Sequence, residues 1–149
     1  MPIRECCNTT VVCCDSDAPI PQVAALMRHH HVGDVIVTET SDGMRVPVGI
    51  VTDRDIVIET IALQVNAETF TAGDLMSSPV ATVDEDAGLV ETLREMRELK
   101  VRRMPVVNAA GGLYGIVTAD DLINLLTTEL SLIADVIVEQ PQREGQLRT

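Results

Sequence analysis

Thr52 and Asp55 stand three residues apart, and Thr118 and Asp121 repeat that spacing. A Thr at the start of a helix, with unpaired backbone N–H groups behind it, can hold a phosphate oxygen. A carboxylate one turn on can accept a hydrogen bond from each of two neighbouring hydroxyls, and such charge-assisted bonds are the stronger kind. The same two side chains also read as a capping-box variant, in which they satisfy the helix's own N–H groups. A capping box favours Glu or Gln at its last position and both copies have Asp, yet spacing alone still favours the cap.

Other reactive side chains have blander readings. Cys6-Cys7 and Cys13-Cys14, with His29-His30-His31, invite a metal or thiol chemistry. Their spacing is not a zinc pattern, and neighbouring residues of an extended chain point to opposite faces. Packing is the expected role of the cysteines, and a solvated helix end that of the histidines. Nothing resembles an activated nucleophile or a metal triad, so no enzyme activity and no metal site are expected. The acids at 84–86 suit a helix start.

Composition narrows the partners. The chain has 149 residues, a formal net charge of -12 and 46% apolar residues, with one Tyr, one Phe and no Trp. The core must be aliphatic, and stacking platforms for single-stranded nucleic acid are nearly absent. The acidity opposes binding to phosphate backbones and to anionic membranes. The first residues carry an acid early with no apolar run behind it, unlike a signal peptide. No stretch approaches the ~20 apolar residues of a membrane span. The expected location is the cytoplasm, with reduced thiols.

The elements that must position these residues come in two copies. Residues 11–18 line up with 80–87, Met27 with Met96, and Val32 with Val101. After three extra residues in the first copy, Gly49-Ile50-Val51-Thr52 falls on Gly115-Ile116-Val117-Thr118, and Asp55 on Asp121. Each copy reads as an extended piece (10–14, 80–83), an Asp able to cap a helix, and an amphipathic helix. That helix carries Ile20, Val23, Ala24 and Met27, or Leu89, Leu93 and Met96. A hairpin turning at Asp42-Gly43 or Gly111-Gly112 follows, then a second helix. The fold class is α/β (α+β): two β-α-β-β-α units packed sheet to sheet with pseudo-twofold symmetry, because one such unit is too small to bury its sheet alone. The expected boundaries are 1–65, a connector at 66–70, 71–128, and a helix extension with a flexible tail at 129–149. Residues 121–138 are more apolar than one helix face needs, which implies packing against another subunit; the polar tail from 140 is expected to be disordered.

These marks resemble the CBS-domain family, specifically a stand-alone tandem pair or Bateman module. The resemblance rests on Gly-Ile-Val-Thr-Asp-Arg-Asp-Ile at 49–56 and Gly-Ile-Val-Thr-Ala-Asp-Asp-Leu at 115–122. The runs at 74–79 and 102–107 support it, and it covers roughly residues 3–127. It implies a regulatory module that binds an adenosine-containing ligand (AMP, ADP, ATP, NAD or S-adenosylmethionine) in clefts between the repeats. It places the ribose on Asp55 and Asp121, and the phosphates near Thr52 and Thr118. Candidate walls for the adenine are Val11, Val12, Val35 and Ile36 in the first copy, and Val80, Ala81, Met104 and Pro105 in the second.

The copies differ in charge: Asp34 aligns with Arg103, and Arg54 with Asp120. Arg54 would help a phosphate at the first site; Arg102 and Arg103 would compensate for Asp120 at the second. The sites are therefore expected to be inequivalent, one taking a less charged ligand or none. The expected partners are the nucleotide, a second copy of the chain in a homodimer, and an effector protein. Two alternatives stay open: a dimerisation or protein-interaction module with vestigial clefts, and a thiol or metal sensor using the cysteine pairs and His29–His31.

Overall fold

The computed structural model describes residues 1–148. The first repeat runs β1 (Cys13–Asp15), α1 (Ile20–His30), β2 (Asp34–Ser41), β3 (Met44–Thr52) and α2 (Asp53–Ile56), continued by a wider π turn over Val57–Ile61. A short α3 (Ala72–Leu75) leads into the second: β4 (Val83–Asp84), α4 (Leu89–Leu99), β5 (Arg103–Val107), β6 (Leu113–Thr118) and α5 (Ala119–Leu147). Each repeat forms a three-stranded sheet, β1-β2-β3 or β4-β5-β6, with one parallel and one antiparallel pairing.

Strand alternation divides the apolar residues between two layers. Val35, Val37 and Val51 face α1 and pack on Ile20, Val23 and Met27. Met104, Val106 and Val117 do the same on Met96 and Leu122. The alternate residues Ile36, Ile50 and Ile116 form a third cluster with Val11, Cys13, Val80 and Leu113, where the two repeats meet. Neither sheet covers this face alone, so duplication is what buries it.

The packing units are not the sequence units. Ile3, Cys6 and Cys7, at the chain start, pack on the core of the second repeat. Phe70, Ala72, Leu75 and Met76, which lead into the second repeat, pack on the core of the first. Asn8 bridges to Ile116 and Ser77 to Ile50 in the same antiparallel manner. The motif glycines permit this. A Cβ on Gly115 would meet the Asn8 carbonyl at 2.8 Å and Cys7 Sγ at 2.9 Å, and one on Gly49 would collide with Met76.

Three expectations are corrected. No Asp caps α1 or α4: their N-caps are Pro19 and Gly88, and Asp84 instead accepts the N–H of Asp86 at 2.8 Å in a local turn. The extended pieces pair only at Cys13–Asp15 and Val83–Asp84. The polar tail expected to be disordered from 140 is helical as far as Leu147, with Pro141 inside the helix. Residue 149 lies outside the described residues.

The candidate ligand clefts between the repeats

Two clefts open on the face where the repeats meet, and each draws on both copies. In the first, of about 200 Å³, Thr118, Asp121 and Ile116 face Val11, Val12, Val32, Asp34 and Ile36, with Asn8 and Thr10 at the edge. The second, of about 250 Å³, holds the counterparts Ile50, Val80, Ala81, Val101 and Arg103, with Ser77, Pro79 and Leu99. Face-to-face sheets cross the assignment: the Thr118–Asp121 motif takes its apolar wall from the first repeat, not from its own. Thr52 and Asp55 are not among the residues lining this second cleft; Thr52 lies two residues beyond Ile50 on β3 and so is directed to the same face, at the cleft's edge.

The expected wall residues separate by strand parity. Val12 and Ile36 line the first cleft, Val80 and Ala81 the second. Val35 and Met104 line neither; both are fully buried among the helix-facing cores, because odd and even positions of a strand point oppositely. Pro105 is buried and pairs with Ile116 on β6. Arg54 lies with Asp53, Val57 and Ile58 along a shallow hollow on the outer side of α2. The segments around Asn8 and Ser77 and the turn residues Val32 and Val101 were missed, although their alignment across the repeats was visible.

Both motif pairs cap their own helices. The Asp55 N–H donates to Thr52 Oγ1 at 3.1 Å and the Thr52 N–H to Asp55 Oδ2 at 2.9 Å, a reciprocal capping box. The Asp121 N–H donates to Thr118 Oγ1 at 3.1 Å, and the Thr118 hydroxyl to Asp121 Oδ2 at 2.7 Å. Among the described residues, Oδ1 of each carboxylate has no hydrogen-bond donor. At Thr118–Asp121, which lines the first cleft, capping and ligand binding are thus compatible, because the cap fixes the rotamer and leaves acceptor capacity; Asp55 lines neither cleft.

Charge distinguishes the clefts. Arg103 lines the second and Asp34 the first, and their side chains form an ion pair across the repeat interface, 34% and 14% exposed. Arg102, expected at a cleft, pairs with Asp120 at 3.1 Å on the open surface. The Thr118 cleft is therefore the more acidic, with Asp121 besides Asp34, and the second the more basic, through an Arg103 whose charge is paired with Asp34.

The cysteines are unsuited to thiolate chemistry. All four are free, and burial is the first cause pushing every thiol upward, Cys14 to about 11. The thiolate is the nucleophile and the metal ligand, so raised thiols are poor at both. His29–His31 are exposed at the end of α1. Among the described residues no group of three or more His, Cys, Asp or Glu side chains is placed to hold a metal ion. No helix among them is long and apolar enough to cross a membrane.

The family model for the CBS domain matches residues 3–60 and again 72–128. This chain belongs to the CBS-domain family. MK0525, an uncharacterized protein of Methanopyrus kandleri, is 35% identical over 126 residues, 85% of this chain; the chain spans 61% of that relative's length. Among solved structures, Hypoxic Response Protein I with two coordinated zinc ions is 34% identical, with a TM-score of 0.72 over 83% of this chain and 98% of that one. The CBS domain of a bacterial CNNM/CorC family Mg²⁺ transporter in complex with ATP is 26% identical, with a TM-score of 0.72 over 83% of this chain and 84% of that one.

Proposed function

We propose that this CBS pair is a regulatory sensor of an adenosine-containing nucleotide, acting through a protein partner rather than by catalysis. The observation that carries the reading is the pairing, within one cleft, of a helix-capping Thr-x-x-Asp from one repeat with the apolar wall of the other. The carboxylate suits a ribose diol, the helix start suits a phosphate, and the aliphatic wall suits an adenine. The ATP complex of a related CBS domain supports the chemistry. Ligand pockets usually measure about 300–1,000 Å³, so clefts of about 200 and 250 Å³ would enclose the nucleoside and leave phosphates at the rim.

By pseudo-symmetry the phosphate-bearing ligand belongs in the cleft of Arg103, which would hold the phosphate against Val80 and Ala81, with Thr52 and Asp55 reaching the ribose from the end of β3 outside the cleft's lining. The acidic cleft, with Asp34 beside Asp121, repels phosphate and would take an uncharged or cationic adenosine compound. Binding at either cleft changes the contacts between repeats, and an effector would read that shift. A homodimer fits as well, because Ile123, Leu130, Ile133 and Ile137 leave one side of α5 apolar and exposed. Thermal-shift screening with AMP, ATP, NAD, S-adenosylmethionine and Zn²⁺ tests the reading. A rise with an adenine compound is expected; a rise with Zn²⁺ alone would replace it with a metal sensor.

A further inference from the structure

We propose that a second kind of site, apart from the nucleotide clefts, lies at the edge of the first sheet and takes a small zwitterion, a free α-amino acid. A cavity of about 430 Å³ opens where edge strand β1 meets the start of α1, lined by Asp15, Asp17, Gln22, Thr38 and Arg45 beside both thiols of the Cys13-Cys14 pair. Thr38 is only 3% exposed, and among the described residues its hydroxyl has no hydrogen-bond partner; what surface it keeps opens onto this cavity.

The second repeat shows how such a site is closed, and the first repeat lacks each closing device. Arg4 pairs with Asp86 and donates its backbone N–H to Glu85 at 3.0 Å. In the first repeat the same backbone bond runs from Gly73 to Ser16 at 2.8 Å, so Asp17, the counterpart of Asp86, faces a residue with no side chain. A Cβ there would meet the Ser16 carbonyl at 3.0 Å, which keeps the position small. Thr38 corresponds to Val107, and Arg45 lies on β3 near the turn of a hairpin three residues longer than its counterpart in the second repeat. The first repeat thus gains a cation and an unpartnered hydroxyl, and loses the partner of a carboxylate, all at one cavity.

The charges are separated across the strand edge. Arg45 lies against the Cys13 thiol, which packs toward the interface between repeats, while Asp15 and Asp17 lie toward the Cys14 thiol on the helix side. Two carboxylates oppose a plain anion, and Arg45 opposes a plain cation. A ligand carrying a carboxylate at one end and an ammonium at the other uses both, with Thr38 and Gln22 completing its hydrogen bonds.

The test is a thermal-shift screen of the whole chain against the free amino acids at millimolar concentration, followed by calorimetry with the best one. Acetate and methylamine serve as half-ligands. Binding is expected, with either half-ligand far weaker, and with roughly tenfold or greater loss in Thr38→Val and in Arg45→Gln. Thr38→Val copies the residue of the other repeat, so it should fold. No shift with any amino acid, unchanged affinity in both variants, or acetate alone matching the amino acid would each overturn the proposal. The response to AMP is read in parallel; its loss or retention bears on the clefts and not on this site.

Discussion

Asp34 and Arg103 occupy the same position in the two repeats, and they pair with each other across the interface between them. Each also lines a different cleft. One contact therefore joins the repeats and sets the charge of both clefts. A phosphate that draws Arg103 away leaves Asp34 unpaired in the other cleft, so the clefts should oppose each other for anionic ligands. Arg103→Gln should lower stability by about 1–2 kcal/mol, between the values for exposed and buried pairs. The exchange Asp34→Arg with Arg103→Asp should recover most of that loss and move phosphate preference to the Thr118 cleft. Urea unfolding and calorimetry read the two effects separately; a double variant no more stable than Arg103→Gln would show the pair to be incidental.

The close approach at the motif glycine predicts a local intolerance. Gly115→Ala forces a Cβ to 2.8 Å from the Asn8 carbonyl, which belongs to backbone, and should cost about 1–3 kcal/mol. Gly88→Ala meets nothing within 4 Å and should cost only the N-cap preference for Gly over Ala, about 0.5–1 kcal/mol. Equal unfolding midpoints for the two variants would argue against the reciprocal docking of the chain start.

The thiols predict a pH dependence. Burial, then the neighbouring Cys13, Asp15 and Asp17, raises Cys14 from 9.0 to about 11. A group whose folded value is raised adds stability below its unfolded value and loses it as pH climbs to the folded one. Stability attributable to Cys14 should therefore hold below pH 9 and fall toward pH 11. Cys14→Val, which copies Val83, should remove that component of the decline, so the variant's urea midpoint falls less than the wild type's between pH 9 and about pH 11; an unchanging difference between the two proteins would contradict it.

Helix α5 predicts an association. Leu130, Ile133 and Ile137 are each more than half exposed, an unusual apolar stripe for a helix in water. Leu130→Lys with Ile133→Lys should convert a dimer to a monomer in sedimentation without changing the unfolding of the repeats. A wild-type monomer at tens of micromolar would remove the homodimer from the account.

Much of the fold was legible because duplication doubled the signal. The motif run ending at Thr52 and Thr118 fixed a strand, a helix start and the pair of sheets. What the sequence hid was parity and partnership. Val35 and Ile36 are both apolar, and only the pleat decides that one is core and the other cleft wall. Cys6 and Cys7 align with Leu75 and Met76, which announced apolar positions, but not that each segment docks on the opposite repeat. Arg102 and Arg103 looked interchangeable; one pairs with Asp120 on the surface, the other reaches across to Asp34. The polar composition of 140–147 concealed a helix that Pro141 does not end.

Calorimetric titration of AMP into wild type, Asp55→Ala and Asp121→Ala tests the central claim most directly. Binding in the wild type at the basic cleft is expected, with loss of that binding in Asp55→Ala and little change in Asp121→Ala. Equal losses from both substitutions, or undiminished binding in Asp55→Ala, would contradict it.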